Sequence, residues 1–153
     1  MFGTLTHTES ENLLKENIYG RIGCHAFGKT YIVPISYAYN DGYLYFHTFE
    51  GQKVQMMRNN PSVCFQMDIL SDMANWKSVI AQGTFEELTG DSRSEGIKVL
   101  LDRALPTLVS ETVKLTPLWP FPEKKYEDIP GIIFRIKVSE ITGRFEESTP
   151  VIR

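Results

Sequence analysis

The segment Thr48–Lys53 contains residues that could bind an anion. A strand is predicted to end at Thr48, Gly51 loosens the backbone, and a helix begins immediately after it. The first turn of a helix presents unpaired N–H groups and a partial positive charge, which suits a phosphate group. Lys53 is unfavourable in that first turn, and a bound anion would remove the conflict. A lysine that is merely exposed to solvent is the alternative interpretation.

His47 precedes this segment and lies at the end of the same predicted strand. A neutral imidazole there could bind a ligand, ligate haem iron or act as an acid or base. The alternative is a structural histidine whose ring is bonded to the backbone at the rim of a barrel.

A second candidate set opens the fifth predicted strand, at Trp76–Val79. Alternation puts Trp76 and Ser78 on one face and Lys77 and Val79 on the other. A flat ligand could stack on the indole with the hydroxyl at its polar edge. A tryptophan in the core with a lysine at the surface is the alternative.

Composition limits the classes of function that remain. The 153 residues are 42% hydrophobic, with 16 Lys+Arg against 19 Asp+Glu and a net charge of -3. A protein that binds nucleic acid usually has a basic face, so this balance of charges argues against nucleic acid as a partner. The sequence has neither a long apolar run nor a signal-peptide pattern, so we expect a cytoplasmic protein without membrane segments. Cys24 and Cys64 lie in apolar strands and are expected to pack rather than bind a metal.

The hydrophobic periodicity predicts a single mainly β domain over residues 1–153, an antiparallel barrel with peripheral helices. The six predicted strands are 20–26, 30–40, 43–48, 62–68, 76–87 and 131–147. Four helices are predicted: one capped by Thr8 with Glu11 and stopped by Gly20, one from Gly51 to Arg58, one capped by Ser92 with Glu95, and a short one from Pro106 toward Lys114. The segment 115–131 fits neither period, and its Trp119 and Phe121 could cover a pocket, contact a partner subunit or plug the barrel.

Asn40-Asp41-Gly42 predicts a hairpin between the second and third strands. A two-residue Asp41-Gly42 turn would gather the apolar side chains on one face and place Ser36 opposite His47. A three-residue loop with a bulge would shift that register. The apolar set on the first reading is Val33, Ile35, Tyr37, Leu44 and Phe46.

The order of these segments resembles a known superfamily. YIVPISYAYNDGYLYFHTFEGQKVQMMRNNPSVCFQMD followed by NWKSVIAQGTFEEL, and the final RIKVSEITGRFEE, are similar to the flavin-binding split barrels related to pyridoxamine 5′-phosphate oxidase. The similarity is greatest to the branch that includes nitroimidazole-resistance proteins, and it spans about residues 10–147.

The resemblance implies a six-stranded split barrel that forms a homodimer with FMN between its subunits. Matching the family residue by residue implies four sets of contacts with the cofactor. They are Val33, Pro34, Ile35 and Ser36 in the second strand, His47 and Thr48 at the end of the third, Gly51, Gln52 and Lys53 at the helix start that follows, and Trp76, Lys77, Ser78 and Val79 in the fifth strand.

The chain departs from true pyridoxamine 5′-phosphate oxidases at two places. They have an arginine where Gln52 lies, so one charged contact to the phosphate is missing. They also end in a substrate-binding motif with Arg and His, whereas this chain ends in EESTPVIR. Oxidation of pyridoxamine phosphate is therefore not expected.

The expected function is that of an FMN-binding oxidoreductase acting on a small molecule. Nitroaromatic or quinone-like acceptors with a nicotinamide donor are the concrete expectation, and His47 would orient the substrate or pass a proton. The alternative is a protein that holds flavin or haem for storage, transfer or sensing, in which His47 would reach the iron. A third possibility is a member of the fold that acts only as an interaction module.

Overall fold

In the computed structural model, which describes residues 1–103 and 128–149, eight strands and three helices follow one another along the chain. The strands are β1 (Phe2–Leu5), β2 (Tyr19–Ala26), β3 (Lys29–Ser36), β4 (Ala38–Asn40), β5 (Tyr43–Thr48), β6 (Ser62–Asp72), β7 (Asn75–Glu87) and β8 (Ile132–Glu146). The helices are α1 (His7–Glu16), α2 (Gln52–Asn59) and α3 (Gly90–Asp102).

The strands form one antiparallel sheet in the order β3-β2-β6-β7-β8-β5-β4, and β1 pairs with β8. The predicted mainly β architecture is confirmed, with eight described strands instead of six. The predicted strand 30–40 is divided at Tyr37, whose N–H donates to the Ile18 carbonyl at 2.8 Å before the chain turns to pair with β5. β1 was not predicted because a strand of four residues is too short to produce a clear period.

The hairpin between β4 and β5 has the two-residue Asp41-Gly42 turn. Asn40 pairs with Tyr43, and φ is 47° at Asp41 and 81° at Gly42, as a type I′ turn requires. The predicted register is confirmed on its apolar side: Tyr37, Leu44 and Phe46 are fully buried in one cluster, against which Val33 and Ile35 pack.

One part of that register is wrong. Ser36 does not lie in a pair with His47, because β3 ends at Ser36 and pairs there with Tyr19 of β2. His47 instead pairs with Ile133 of β8.

Two helix starts differ from the prediction. The side chain of Thr6 caps α1 by accepting from the N–H of Glu9 at 3.1 Å, so the cap lies two residues before the predicted pair Thr8 and Glu11. Glu11 is instead bound by the hydroxyl of Tyr39 at 2.8 Å, so a tertiary contact removes it from the cap. α3 likewise begins after Thr89, whose carbonyl accepts from the Ser92 hydroxyl at 2.7 Å.

The side chains of the strands alternate between the barrel core and an outer face. On β7, Val79 and Ala81 are fully buried, whereas the neighbouring Ile80 is 41% exposed. We define the outer face as the surface of β3, β2, β6 and β7 opposite the core. It carries Ile32, Pro34, Ser36, Tyr19, Arg21, Gln66, Asp68, Trp76, Ser78 and Ile80.

The core is anchored by aromatic rings. Phe46 stacks on Phe134 with ring centroids 4.8 Å apart, and Tyr37 meets Phe65 edge to face at 4.7 Å. The Tyr37 hydroxyl donates to the Leu14 carbonyl at 2.8 Å, which ties α1 to the end of the barrel. Each buried ring contributes roughly 1.5–3 kcal/mol to stability, so this cluster fixes the strands from which the candidate site is built.

The predicted helix from Pro106 toward Lys114, and the aromatic residues Trp119 and Phe121, lie outside the described residues. Among the helices that are described, none has the length and apolar character needed to span a bilayer.

Candidate functional site

The sheet has an open edge at β3. β3 pairs with β2 along its length, and in the described part of the chain no strand pairs with its other edge. β3 also contacts β5, and α2 packs against β2, the strand that pairs with β3. The barrel is therefore split at this place, and backbone groups are left available along the edge.

The direction of these backbone groups follows from one hydrogen bond. The N–H of Tyr37 points toward the β2 side, where it donates to Ile18. Because N–H directions alternate along a strand, Ser36 and Ile32 direct their N–H and carbonyl groups toward the open edge, together with the carbonyl of Pro34. A proline in mid-strand is tolerated here because its missing N–H would point to the unpaired side.

The start of α2 supplies the second part of the site. Gly51 caps the helix without a side-chain hydrogen bond, and Thr48, 8% exposed, ends β5 just before it. Arg58, the other cation of α2, is held by Glu50 at 2.6 Å and Glu87 at 2.7 Å. Lys53 in the first turn has no such partner, because no carboxylate of the described residues lies at ion-pair distance from it.

Lys53 is half-buried, and burial lowers the pKa of its ammonium group. The group interacts electrostatically with the thiol of Cys24 on β2, and Cys24 pairs with Tyr31 of β3. Lys53 is thus close to the strands that form the split. A partly desolvated cation without a counter-ion is suited to binding an anion. We call this region, formed by residues 32–36, Thr48 and Gly51–Lys53, the β3–α2 gap.

His47 does not face this gap. Thr48 and Phe46 point to the barrel core, so alternation places the ring of His47 on the opposite side of β5, beside Phe49 with ring centroids 5.2 Å apart. Nε2 of His47 lies 2.8 Å from the Pro130 carbonyl. Because a carbonyl oxygen only accepts, Nε2 carries the proton and donates it.

Burial, followed by the nearby charges of Arg93 and Arg103, lowers the pKa of His47. The imidazole is therefore neutral near pH 7. Its Nε2 is engaged with the backbone, which matches the structural alternative considered for this residue. A role for that nitrogen in ligating iron would require the bond to Pro130 to break.

Arg93 is a residue that sequence reasoning missed. Its Nη2 donates to the carbonyl of Ile129 at 2.6 Å and approaches that of Gly131 at 3.3 Å. Together with His47, it holds three successive carbonyls immediately before β8. Gly131 has φ of 94°, and a Cβ there would lie 2.6 Å from the Thr48 carbonyl and 2.9 Å from Nε2 of His47. The sequence contained no spacing that would link α3 to this turn.

The set Trp76–Val79 lies apart from the β3–α2 gap. Ser78 is on the outer face of β7, where its hydroxyl lies 3.1 Å from the amide nitrogen of Gln66. Val79 is fully buried in the core, so its side chain has a packing role. Lys77 is exposed and points to the same side as Val79, beyond the core. The predicted alternation of these four residues is confirmed.

Trp76 is oriented by a residue that the sequence did not suggest. Its indole Nε1 donates to Glu146 at 3.1 Å, and Phe2 of β1 meets the ring edge-on with centroids 6.0 Å apart. The indole lies between two open cavities, one on each side of the β6–β7 hairpin, of about 530 and 370 Å3.

Within one chain, these two sets remain separate. β3 and β7 are separated by β2 and β6, which is about 14 Å across three strand spacings. The β3–α2 gap and the Trp76–Ser78 surface are therefore two part-sites, both bordering the outer face.

Comparison with known proteins identifies the family of this chain. Residues 6–145 match the model of the family described as pyridoxamine 5′-phosphate oxidase. The chain belongs to that family. The match includes β2 to β7 and nearly all of β8, so every predicted site residue lies within it. The fold is accordingly the antiparallel split barrel of the pyridoxamine 5′-phosphate oxidase family.

Several known proteins are similar to this chain in sequence or in fold. A crystal structure described as a FAD-binding protein from Mesorhizobium loti is 30% identical, with 96% of this chain and 99% of that chain covered and a TM-score of 0.72. An uncharacterized protein of Rhizobium meliloti is 28% identical over 142 residues, 92% of each chain. A candidate 5-nitroimidazole antibiotic resistance protein from Bacteroides thetaiotaomicron is 15% identical over 95% of this chain and 87% of that chain, with a TM-score of 0.71.

Proposed function

We propose that the protein binds a flavin nucleotide in the β3–α2 gap and acts as a flavin-dependent oxidoreductase on a small molecule. The observation that carries the proposal is the combination of an unpaired strand edge with a desolvated lysine at the adjacent helix start. Family membership and the similar FAD-binding protein of Mesorhizobium loti support the same ligand class.

The chemistry of the gap fits such a ligand. The polar edge of a flavin ring alternates hydrogen-bond donors and acceptors, and the free edge of β3 alternates them as well, with N–H and carbonyl groups at Ile32 and Ser36 and a carbonyl at Pro34. Lys53, Thr48 and the first amides of α2 would hold the phosphate. When bound, the flavin would supply the electron-transfer chemistry, while the chain binds and orients it.

FMN is the form we propose, because one phosphate matches one lysine and one helix start. Gln52, exposed beside Lys53, replaces a second cation with a neutral amide. FAD is the alternative, because a similar protein is described as FAD-binding. The identity of the cofactor released from the protein decides between FMN and FAD.

We propose further that the protein works as a homodimer joined through the outer face. Among its polar side chains that face exposes Ile32 at 64%, Tyr19 at 54% and Ile80 at 41%, and exposed apolar side chains on one sheet face support an interface. A two-fold axis through it would bring the β3–α2 gap of one protomer to the Trp76–Ser78 surface of its partner. Each flavin would then contact both chains.

The proposed substrates are small nitroaromatic or quinone-like acceptors, with a nicotinamide nucleotide as donor. A haem-binding role is disfavoured by the geometry of His47, because Nε2 donates to Pro130 and the ring faces away from the gap. The departures at Gln52 and at the C-terminus likewise disfavour oxidation of pyridoxamine phosphate.

The first experiment is an absorbance spectrum of the purified protein, followed by anaerobic addition of NADH or NADPH. Flavin bands that bleach with the donor are expected, and mass spectrometry of the released cofactor distinguishes FMN from FAD. Bands that persist with both donors would contradict a nicotinamide-dependent oxidoreductase. A protein that takes up neither FMN nor FAD would contradict the flavin site itself.

Mixed dimers test the sharing of the site between protomers. A Lys53→Met chain and a Ser78→Glu chain, the second altered on the outer face, are each expected to bind flavin weakly. A random mixture would restore full affinity at about one quarter of sites, because half of the dimers are mixed and each mixed dimer has one intact site. No recovery in the mixture would mean that both part-sites act within one chain.

A further inference from the structure

A second polar cavity lies away from the β3–α2 gap. It has a volume of about 230 Å3 and is formed between α1, β4 and the C-terminal end of α3. Its charged groups come from Lys15, Asp102 and Arg103 and its amide groups from Asn17 and Asn40, while Ala38 and Val99 form apolar parts of the wall. None of these residues belongs to the proposed flavin site.

Arg103 is the unusual member of this cavity. Its Nε is buried and has no hydrogen-bond partner among the described residues. No carboxylate of the described residues lies at ion-pair distance from its guanidinium group, and burial lowers its pKa. A desolvated cation without a partner is costly, and in native proteins such a group calls for a specific explanation.

The neighbouring groups favour an anion as that explanation. Lys15 adds a positive charge, although it already contacts Glu11 at 3.3 Å. The side-chain amide of Asn40 makes no hydrogen bond with the described residues. Asp102 is the one carboxylate among the described lining residues, and it is not paired with Arg103, so no direct ion pair balances the charge of the guanidinium group.

We propose that this cavity binds a small oxyanion, a carboxylate or a phosphate group, with Arg103 as the principal ligand. A planar guanidinium group can hold either oxyanion through two parallel N–H···O bonds. The volume is below the range of 300–1,000 Å3 that is roughly typical of pockets for drug-sized ligands, so the ligand is a small anion or the anionic end of a larger molecule. The site is independent of flavin binding.

The test is thermal unfolding of the full chain in sodium phosphate and in sodium acetate, each compared with sodium chloride at equal ionic strength. Wild-type Tm is expected to rise with at least one of the two oxyanions at millimolar concentration, since a ligand that binds only the folded state stabilises it. A response to phosphate alone would identify a phosphate group, and a response to acetate alone a carboxylate.

Three variants locate the response. Arg103→Met should weaken anion affinity by about tenfold or more without lowering Tm in chloride, because an unpaired charge is removed. Lys98→Met, which removes an exposed lysine of the same helix, should respond like wild type. Lys53→Met should also keep the response, which separates this cavity from the flavin site.

Two results would overturn the proposal: no rise in wild-type Tm above the chloride control, or a full response in Arg103→Met. A response that disappears in Lys53→Met but persists in Arg103→Met would assign the anion to the β3–α2 gap instead. Should Arg103→Met not fold, Asn40→Leu replaces it, with several-fold weaker binding expected and unchanged affinity counting against the site.

Discussion

Lys53→Met is the substitution that most directly tests the β3–α2 gap. It keeps most of the side-chain volume and removes the charge. A hydrogen bond to a charged group contributes about 1.5–3 kcal/mol, so affinity for FMN should fall by about 10- to 150-fold. The flavin-free protein should be as stable as wild type or more stable, because burial already lowers the pKa of this ammonium group and no carboxylate of the described residues pairs with it.

The assay is quenching of flavin fluorescence on titration, carried out with FMN and with riboflavin. Riboflavin has the same ring but no phosphate, so it acts as a control for contacts along β3. Lys53→Met should weaken FMN strongly and riboflavin by less than about threefold. Lys137→Met, at an exposed lysine of β8, controls for the general loss of a positive charge.

Two results would refute this reasoning. Equal losses for FMN and riboflavin would mean that Lys53 supports the ring or the fold and not the phosphate. Unchanged FMN affinity at low ionic strength, where a charge contact is strongest, would remove Lys53 from the site altogether.

Three further substitutions test the interface, the turn before β8 and the histidine. Ile80→Glu should weaken the dimer by about 3–5 kcal/mol in analytical ultracentrifugation, whereas Ile69→Glu, at an isoleucine that is also 41% exposed but lies on the other side of the same strand pair, should not. For the turn before β8, Gly131→Ala is compared with Gly28→Ala, a control that has a positive φ but no neighbour to clash with. Gly28→Ala should lower the free energy of unfolding by about 1–2 kcal/mol for its φ alone. Gly131→Ala should lower it by about 1–3 kcal/mol more because of the clash with the Thr48 carbonyl. His47→Gln should reduce the loss of stability between pH 7 and pH 5: because the folded-state pKa is lowered from 6.5, the neutral ring stabilises above that pH and loses this contribution as the pH falls.

Local patterns predicted the parts of the fold whose causes are local. The Asp41-Gly42 turn is fixed by two residues that accept positive φ, and the bounds of β5 were predicted to the residue. The helix caps were less predictable because overlapping capping boxes occur at Thr6 and Thr8. Their choice depends on Tyr39, a residue distant in sequence that binds Glu11.

The candidate site was predicted as a list of residues but not as a geometry. The order β3-β2-β6-β7 separates Ser36 from Ser78, and no local pattern contains the order of strands in a sheet. Arg93 and Glu146 were missed for the same reason, since each acts on a partner more than thirty residues away. The resemblance implied that His47 and Thr48 both contact the cofactor, whereas side-chain alternation along β5 puts them on opposite sides of the strand.

Because His47 points away from the gap, it and Lys53 are expected to have different roles at the site. His47 and Arg93 hold the carbonyls of residues 129–131, and β8 begins there and pairs with β5 up to Thr48, from which the chain continues to Lys53. His47 therefore contributes to the site by fixing the strand end, whereas Lys53 contributes by contacting the ligand. His47→Gln should lower stability while leaving FMN affinity within about threefold, and Lys53→Met should do the reverse. A loss of FMN affinity in His47→Gln at unchanged stability would show that the ring reaches the ligand and that the separation argued from the strand alternation does not hold.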